Sequence, residues 1–350
     1  MMLALRLVAP SAPLELRYVP VPEPGPGEVL VRVAGCGVCH TDVGFWRDGV
    51  ATRALLPLTL GHEISGTVVR AGAACGHLVG RDVIVPAVIP CGCCALCSAG
   101  RGNVCRQQVM PGNDLDGGFA EYVCVPARGL CPVDDTGPYG LAELAVVADA
   151  VTTPWQAVER SGLRAGDVAV VVGVGGVGIY CVQIAAARGA HVVAIDIAAD
   201  RLALAAERGA ALTVDASATE PRTLRALVRD AAAGWGAPPY GWRIYECSGR
   251  VAGQETAFGL LNPAAVLVLV GFTLEYGRFR LSNLMALDAT AQGTWGCPPE
   301  HYPAALALVT SGAVTLGGLV ERYPLADGPS VLDAFAGHRL ARRAILVPDA

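Results

Sequence analysis

Lysine is absent from this chain: all 26 basic residues are arginine. Against 31 acidic residues they leave a formal charge of −5, so there is no basic excess to hold a nucleic-acid backbone. Any anion bound here must be bound by arginine. Charged residues are sparse at 16% while hydrophobic ones reach 53%, a balance that excludes disorder and supports a large core. The opening stretch MMLALRLVAPSAPLEL lacks the charged start of a secretory signal and reaches Pro10 early; it reads as a first β-strand. Internal repeats, low-complexity segments and a charged tail are also missing. PEPGPGE at 22–28 is a turn between early strands, not a linker.

One run, VAVVVGVGGVGIYCVQIAAA at 168–187, is long enough to cross a membrane, but its glycines fit another role. The expectation is a cytoplasmic protein of 350 residues with two domains, binding neither membrane nor nucleic acid. In that compartment thiols stay reduced, so thirteen cysteines do not imply a disulfide framework.

Five of those cysteines crowd into CGCCALCSAGRGNVC, residues 91–105. Cys91, Cys94, Cys97 and Cys105 follow C-x2-C-x2-C-x7-C, a spacing that lets four thiolates close around a structural zinc. Gly92, Gly100 and Gly102 suit a chain bending around an ion, and Cys93 falls outside the pattern. A redox CxxC pair is the competing reading.

Upstream, GCGVCHTD supplies Cys39, His40, Thr41 and Asp42, and GHEISG supplies His62 and Glu63. A cysteine and a histidine could be the first ligands of a catalytic zinc, which keeps one position open. Asp42 could fix the histidine tautomer from behind, and Thr41 could pass a proton. Taken alone, His62 reads as an ordinary core histidine.

The membrane-length run is better explained by Gly173-Val174-Gly175-Gly176-Val177-Gly178 after a β-branched strand, with a small-residue helix to about Arg188. A second strand, HVVAID, ends in Asp196. Strand, glycine turn, helix and acid in this order mark a dinucleotide site. The helix N-terminus would face the pyrophosphate, and Asp196 would bond the adenosine ribose and repel a 2′-phosphate, which favours NAD over NADP.

In their order along the chain, these motifs resemble the zinc-dependent medium-chain alcohol dehydrogenases over nearly its whole length. The resemblance implies an α/β fold: a GroES-like, β-rich catalytic domain at 1–150 carrying the zinc lobe, a Rossmann NAD-binding domain at 151–292, and a return segment at 293–350. It places WRIYECSG and AAVLVLVGF among the later Rossmann strands and RRAILVP in the return. It implies two zinc ions per chain, one catalytic and one structural, with NAD as hydride acceptor. By resemblance, Cys39 and His62 are catalytic zinc ligands with Glu63 beside the metal. Thr41 bonds the substrate oxygen. Asp149, in VVADAVTTPWQAV, is the third ligand, its alternative being a helix N-cap. Thr153, Gly271 and Phe272 lie near the nicotinamide, Arg201 contacts the ribose, and Arg343 reaches the pyrophosphate. Gly44 stands where many members carry a proton-relay histidine, so the proton exit departs from the family pattern. The position of His40 points towards the pyrophosphate in the family.

Narrower stretches resemble one branch. PAVIPCG, VMPGNDLDGGFAEYVCVPARGLCPVDD, ECSGRVAGQETA and RLSNLMALDATAQGTWGCPPEHYPAAL are similar to the dehydrogenases of 6-hydroxycyclohex-1-ene-1-carbonyl-CoA, from anaerobic aromatic-acid degradation. That implies a cyclic acyl-CoA substrate, oxidation of its allylic alcohol to the 6-oxo enone, and some hydration of that enone. Ala87, small and four residues before Cys91, would leave room for a ring; otherwise it is a strand residue beside a turn. Two other functions stand beside this one: a zinc-dependent NAD dehydrogenase of simple alcohols or polyols, and a non-enzymatic zinc- and nucleotide-binding protein. The family also implies a homo-oligomer, tetramer before dimer. AAVLVLVGF could supply an edge strand for it or be a buried parallel strand.

Overall fold

The computed structural model describes residues 1–348. The chain divides into two compact units, one made of Met1–Thr152 together with the chain from Gly296 onward, the other of Thr153–Trp295.

The first unit begins with β1 (Met2–Leu7), β2 (Glu15–Val19) and β3 (Glu28–Gly37), followed by β4 (Leu58–Thr59), β5 (Glu63–Ala71), β6 (Asp82–Val85), β7 (Tyr122–Pro126) and β8 (Cys131–Pro132). β1 lies between β2 and β4 in a small antiparallel sheet. β3 is the axis of the larger one. Val29, Val31 and Val33 are buried while Arg32 is exposed, the alternation of a half-buried strand. Register shifts after Leu30 and Val33 mark bulges that bend it. Its first half pairs with β7 and its whole length with β5, where Gly37 sits opposite Glu63. That register brings the residues just after β3 beside those just before β5, which positions the site described below.

The second unit holds β9 (Val168–Val172), β10 (His191–Asp196), β11 (Ala210–Asp215), β12 (Arg243–Glu246), β13 (Val266–Leu269) and β14 (Thr290–Gly293). All five pairings are parallel, in the order β11-β10-β9-β12-β13-β14. This is the Rossmann arrangement, whose strand order reverses between β9 and β12. β9 is five consecutive buried residues, VAVVV, as a strand covered on both faces requires. Val170, Val193, Ile195, Ile244 and Leu267 form its core with Leu224 and Val228 from a covering helix. The membrane-length run resolves into β9, the glycine turn and the ten-residue helix Gly178–Ala187. Among the described residues no helix is long and apolar enough to cross a membrane. AAVLVLVGF contains β13, which is paired on both sides, so it is an interior strand and β14 is one edge of the sheet.

The chain then returns through β15 (Val320–Pro324) and β16 (Arg343–Val347). β16 pairs antiparallel with Cys36 and Gly37 at the end of β3, completing a seven-stranded sheet in the first unit.

Candidate active site

Cys39 is the N-cap of the helix His40–Trp46, with extended backbone at φ −120°. Asp42, in that helix's first turn, accepts the Cys39 amide on Oδ2 at 2.9 Å and the Gly61 amide on Oδ1 at 3.2 Å. The carboxylate thus ties the end of β3 to the loop before β5. His62, on that loop, is buried, with Nδ1 3.3 Å from Asp42 Oδ1 and Nε2 3.6 Å from Asp149 Oδ2. Neither ring nitrogen completes a hydrogen bond. Burial pushes this imidazole down, but the Asp42 charge and then Asp149 outweigh it and hold it well above its usual value. A cysteine and three carboxylates around one buried imidazole form a pocket whose electrostatics call for a cation.

The geometry fits zinc. Cys39, His62, Glu63 and Asp149 offer ligand atoms that all lie within 4.8 Å of one another. A tetrahedral zinc with bonds of about 2.0–2.3 Å separates its ligands by roughly 3.3–3.8 Å. Cys39 Sγ stands 3.8 Å from Asp149 Oδ2, and His62 Nε2 stands 3.6 Å from the same oxygen. The helix after Asp149 begins at Thr152, so Asp149 is not in the capping position. Glu63 is engaged otherwise: Arg343 Nε donates to its Oε2 at 3.0 Å and Nη2 to its Oε1. Burial raises the Glu63 carboxyl and the Arg343 charge pulls it back. The arginine expected at a pyrophosphate is therefore held in this structure by the acid beside the metal pocket. Thr41 Oγ1 lies 3.7 Å from Cys39 Sγ, on the rim of the same cluster.

The four cysteines of the lobe also converge. The Cys91–Cys97, Cys94–Cys97, Cys94–Cys105 and Cys91–Cys105 sulfurs are 3.8, 3.5, 3.6 and 3.5 Å apart. These are edges of a tetrahedron that zinc would fill. Backbone amides also point at these sulfurs: Cys91 N and Gln107 N donate to Cys105 Sγ. The Cys93 amide, against a smaller burial effect, lowers the Cys91 thiol to about 6. Burial, then the neighbouring Cys94, pushes Cys97 up to about 12. Cys93 is exposed and outside the four-sulfur group.

In the second unit, Gly173 adopts φ +84°, and a Cβ there would come within 2.6 Å of the Ser248 backbone. A Cβ on Gly178 would strike Gly173 O at 1.9 Å, whereas one on Gly175 would meet only the Arg201 guanidinium, at 3.6 Å. Gly173 and Gly178 thus serve the turn's own packing, and Gly175 presents bare backbone to open space. Asp196 ends β10 with its carboxylate fixed by the amides of Val174, Ile197 and Ala198 at 2.8, 2.8 and 3.1 Å. Arg201 stands 3.9 Å away. Gly271 follows β13 and donates its amide to Glu246 O, at the same carboxyl edge of the sheet; Phe272 beside it is exposed. Gly176 and Val177 complete the turn, and Thr153 lies in the helix Thr152–Ser161. Two further buried groups, Glu246 and Tyr302, carry no mark in the sequence. The first closes a strand and the second opens a helix, positions with no signature of chemistry.

Comparison with known proteins places the chain. Residues 25–135 match the alcohol dehydrogenase GroES-like domain, and residues 176–311 match the zinc-binding dehydrogenase domain. An alcohol dehydrogenase of Geobacillus stearothermophilus is 30% identical over 349 residues, covering 96% of this chain and 97% of that one. L-galactonate-5-dehydrogenase of Escherichia coli K12 is 29% identical over 87% of each chain. Among solved structures, a zinc-binding dehydrogenase of Sinorhizobium meliloti 1021 with NADP bound is 29% identical, with a TM-score of 0.87 over 99% of both chains. The chain belongs to the zinc-dependent medium-chain alcohol dehydrogenases, with a GroES-like and a Rossmann domain. It is an oxidoreductase acting on CH–OH groups, which sets aside the non-enzymatic reading.

Proposed function

We propose that this dehydrogenase oxidises a secondary alcohol at the Cys39–His62–Asp149 cluster, with NAD+ as acceptor. The observation that carries the reading is the convergence of these three groups beside Thr41, with Glu63 held aside by Arg343. Three protein ligands leave one position for substrate. Zinc held by Cys39, His62 and Asp149 would supply a Lewis acid for the alcohol hydroxyl, and NAD held at the Gly173–Gly178 turn would supply the hydride acceptor. The chain's residues do the rest. Asp42 aims the His62 ring, and the Thr41 hydroxyl relays the substrate proton, giving up its own as it takes that one. The Gly175 backbone leaves room for the pyrophosphate, and the Asp196 carboxylate bonds the ribose and repels a 2′-phosphate. Arg201 neighbours that carboxylate. Gly44 has no side chain to carry the proton further, so its exit runs by another route.

For the substrate, we favour the ring hydroxyl of 6-hydroxycyclohex-1-ene-1-carbonyl-CoA, with hydration of the enone product at the same site. Support comes from the scattered stretches described above and from Ala87, buried at the end of the chain leaving β6. Of the named relatives, one is an alcohol dehydrogenase and one an L-galactonate-5-dehydrogenase. That favours the second reading, a polyol or simple secondary alcohol. Following NAD+ reduction with the CoA ester, cyclohexanol, 2-cyclohexenol and sorbitol in parallel decides between them. A rate with the ester alone supports the first reading; a rate with the free alcohols and none with the ester overturns it. Absence of a hydrated product by mass spectrometry, where dehydrogenation proceeds, removes the hydration step.

A cytoplasmic setting suits thirteen unbridged cysteines. A homo-oligomer, tetramer before dimer, suits an open edge at β14 with Tyr276, Leu281, Met285 and Trp295 exposed in the same unit. Light scattering at working concentration tests it, and a monomer would exclude it.

A further inference from the structure

Tyr302 is fully buried in the first unit, where a hydroxyl is costly unless paired. Its phenol makes two directed bonds. It donates to Ala148 O at 2.5 Å and accepts the Ala87 amide at 3.1 Å. Ala148 ends the 3-10 helix Glu143–Ala148, where a carbonyl has no partner within the helix. The Thr152 hydroxyl donates to the same oxygen at 3.1 Å. The next residue is Asp149.

That carboxylate is less enclosed than its neighbour. The Asp149 side chain is 19% exposed against 1% for His62, so local packing does less to aim it. At its other end the phenol grips the chain just after β6. β6 pairs with β5, Val85 opposite Ile64, two residues from His62. The hydroxyl therefore braces the peptide before Asp149 against the sheet that carries His62. A phenylalanine would fill the same space and make neither bond.

We infer that Tyr302 is a positioning residue that sets the Asp149 carboxylate relative to Cys39 and His62. The inference rests on Asp149 being a metal ligand, and the test separates the two. Tyr302→Phe, Asp149→Asn and the wild type are loaded with zinc, challenged with a chelator, and assayed for metal per chain and rate of release. Cobalt is then substituted, and its d–d spectrum reports the geometry of the Cys39 site. In Tyr302→Phe, release from that site should be faster and affinity about 10–100-fold lower, with a shifted cobalt spectrum. The cysteine lobe should keep its metal. Thr152→Val, which removes the second donor, should show a smaller loss of the same kind, and Thr152→Ser should restore it. A role in packing alone would lower thermal stability and leave release and spectrum unchanged. Wild-type release and spectrum in Tyr302→Phe, while Asp149→Asn loses metal, overturn the inference. Wild-type metal retention in Asp149→Asn overturns the ligand assignment and the inference with it. Should Tyr302→Phe fail to fold, Thr152→Val reads the same carbonyl, and wild-type release there overturns the inference.

Discussion

Alanine at Gly178 and alanine at Gly175 look alike in sequence and should behave oppositely. In a helix alanine is favoured over glycine by about 0.8–1.0 kcal/mol, so propensity alone makes Gly178→Ala stabilising. The new Cβ, however, would stand 1.9 Å from Gly173 O, 2.9 Å from its carbonyl carbon and 3.3 Å from Cys247 Cβ. The carbonyl cannot turn away freely, because Gly173 is itself held at φ +84° against the Ser248 backbone. The helix start must shift by more than an ångström. Overpacking of that kind costs about 1–3 kcal/mol, which exceeds the propensity gain. Gly178→Ala should therefore lose stability, and also NAD+ affinity, because the helix N-terminus moves. Gly175→Ala meets nothing closer than 3.6 Å, so its stability should stay within about 0.5 kcal/mol of wild type. Its methyl would occupy the space left for the pyrophosphate, and NAD+ affinity should fall at least about tenfold, or about 1.4 kcal/mol. Urea melts, NAD+ titration followed by calorimetry, and zinc content read the three properties separately. Wild-type NAD+ affinity in Gly175→Ala would refute the reasoning, because the cofactor would then not rest on this turn.

Other consequences can be measured in the same preparations. Cys105→Ser removes the most buried sulfur of the lobe, and zinc content should fall from about two to about one per chain with the cobalt spectrum of the Cys39 site retained. Asp196→Asn keeps the shape at the end of β10 and removes its charge; the preference in kcat/KM for NAD+ over NADP+ should shrink by about tenfold or more, and an unchanged ratio would deny the carboxylate that role. Glu246 is buried with Oε2 unpaired, and burial raises its carboxyl above the usual range against the Ser248 and Gly249 donors. The folded chain thus holds this proton to higher pH than the unfolded chain does. The stability it contributes is full at low pH and drains as pH rises through the folded value. Glu246→Gln cannot titrate, so the Tm of the wild type relative to this variant should fall as pH rises above the ordinary carboxylate range; a constant difference would show the group is not linked to folding.

What could be read from the chain alone was local. The zinc lobe lies within fifteen residues, so cysteine spacing and turn glycines nearly determine its closure. The dinucleotide turn is likewise contiguous, from β9 through Gly178 to Asp196, because a strand, a tight turn and a helix start are set by neighbouring backbone conformations. Residues joined across the fold were different. Asp149 meets Cys39 across 110 positions, and it was legible only through resemblance to a family. Arg343 reaches Glu63 across 280 positions, and no spacing rule announces that pairing; it exists because a buried carboxylate needs a countercharge and the return strand β16 brings one. β14, TAQG, carries no strand signature and is a strand only because β13 offers it a free edge. Tyr302 reads as one more aromatic at a helix start, and its two hydrogen bonds appear only when Ala87 and Ala148 are brought to it. Backbone geometry acts between neighbours and is written in short motifs. The cost of burying a polar group is met by whichever partner the tertiary structure delivers, and that partner can lie anywhere in the sequence.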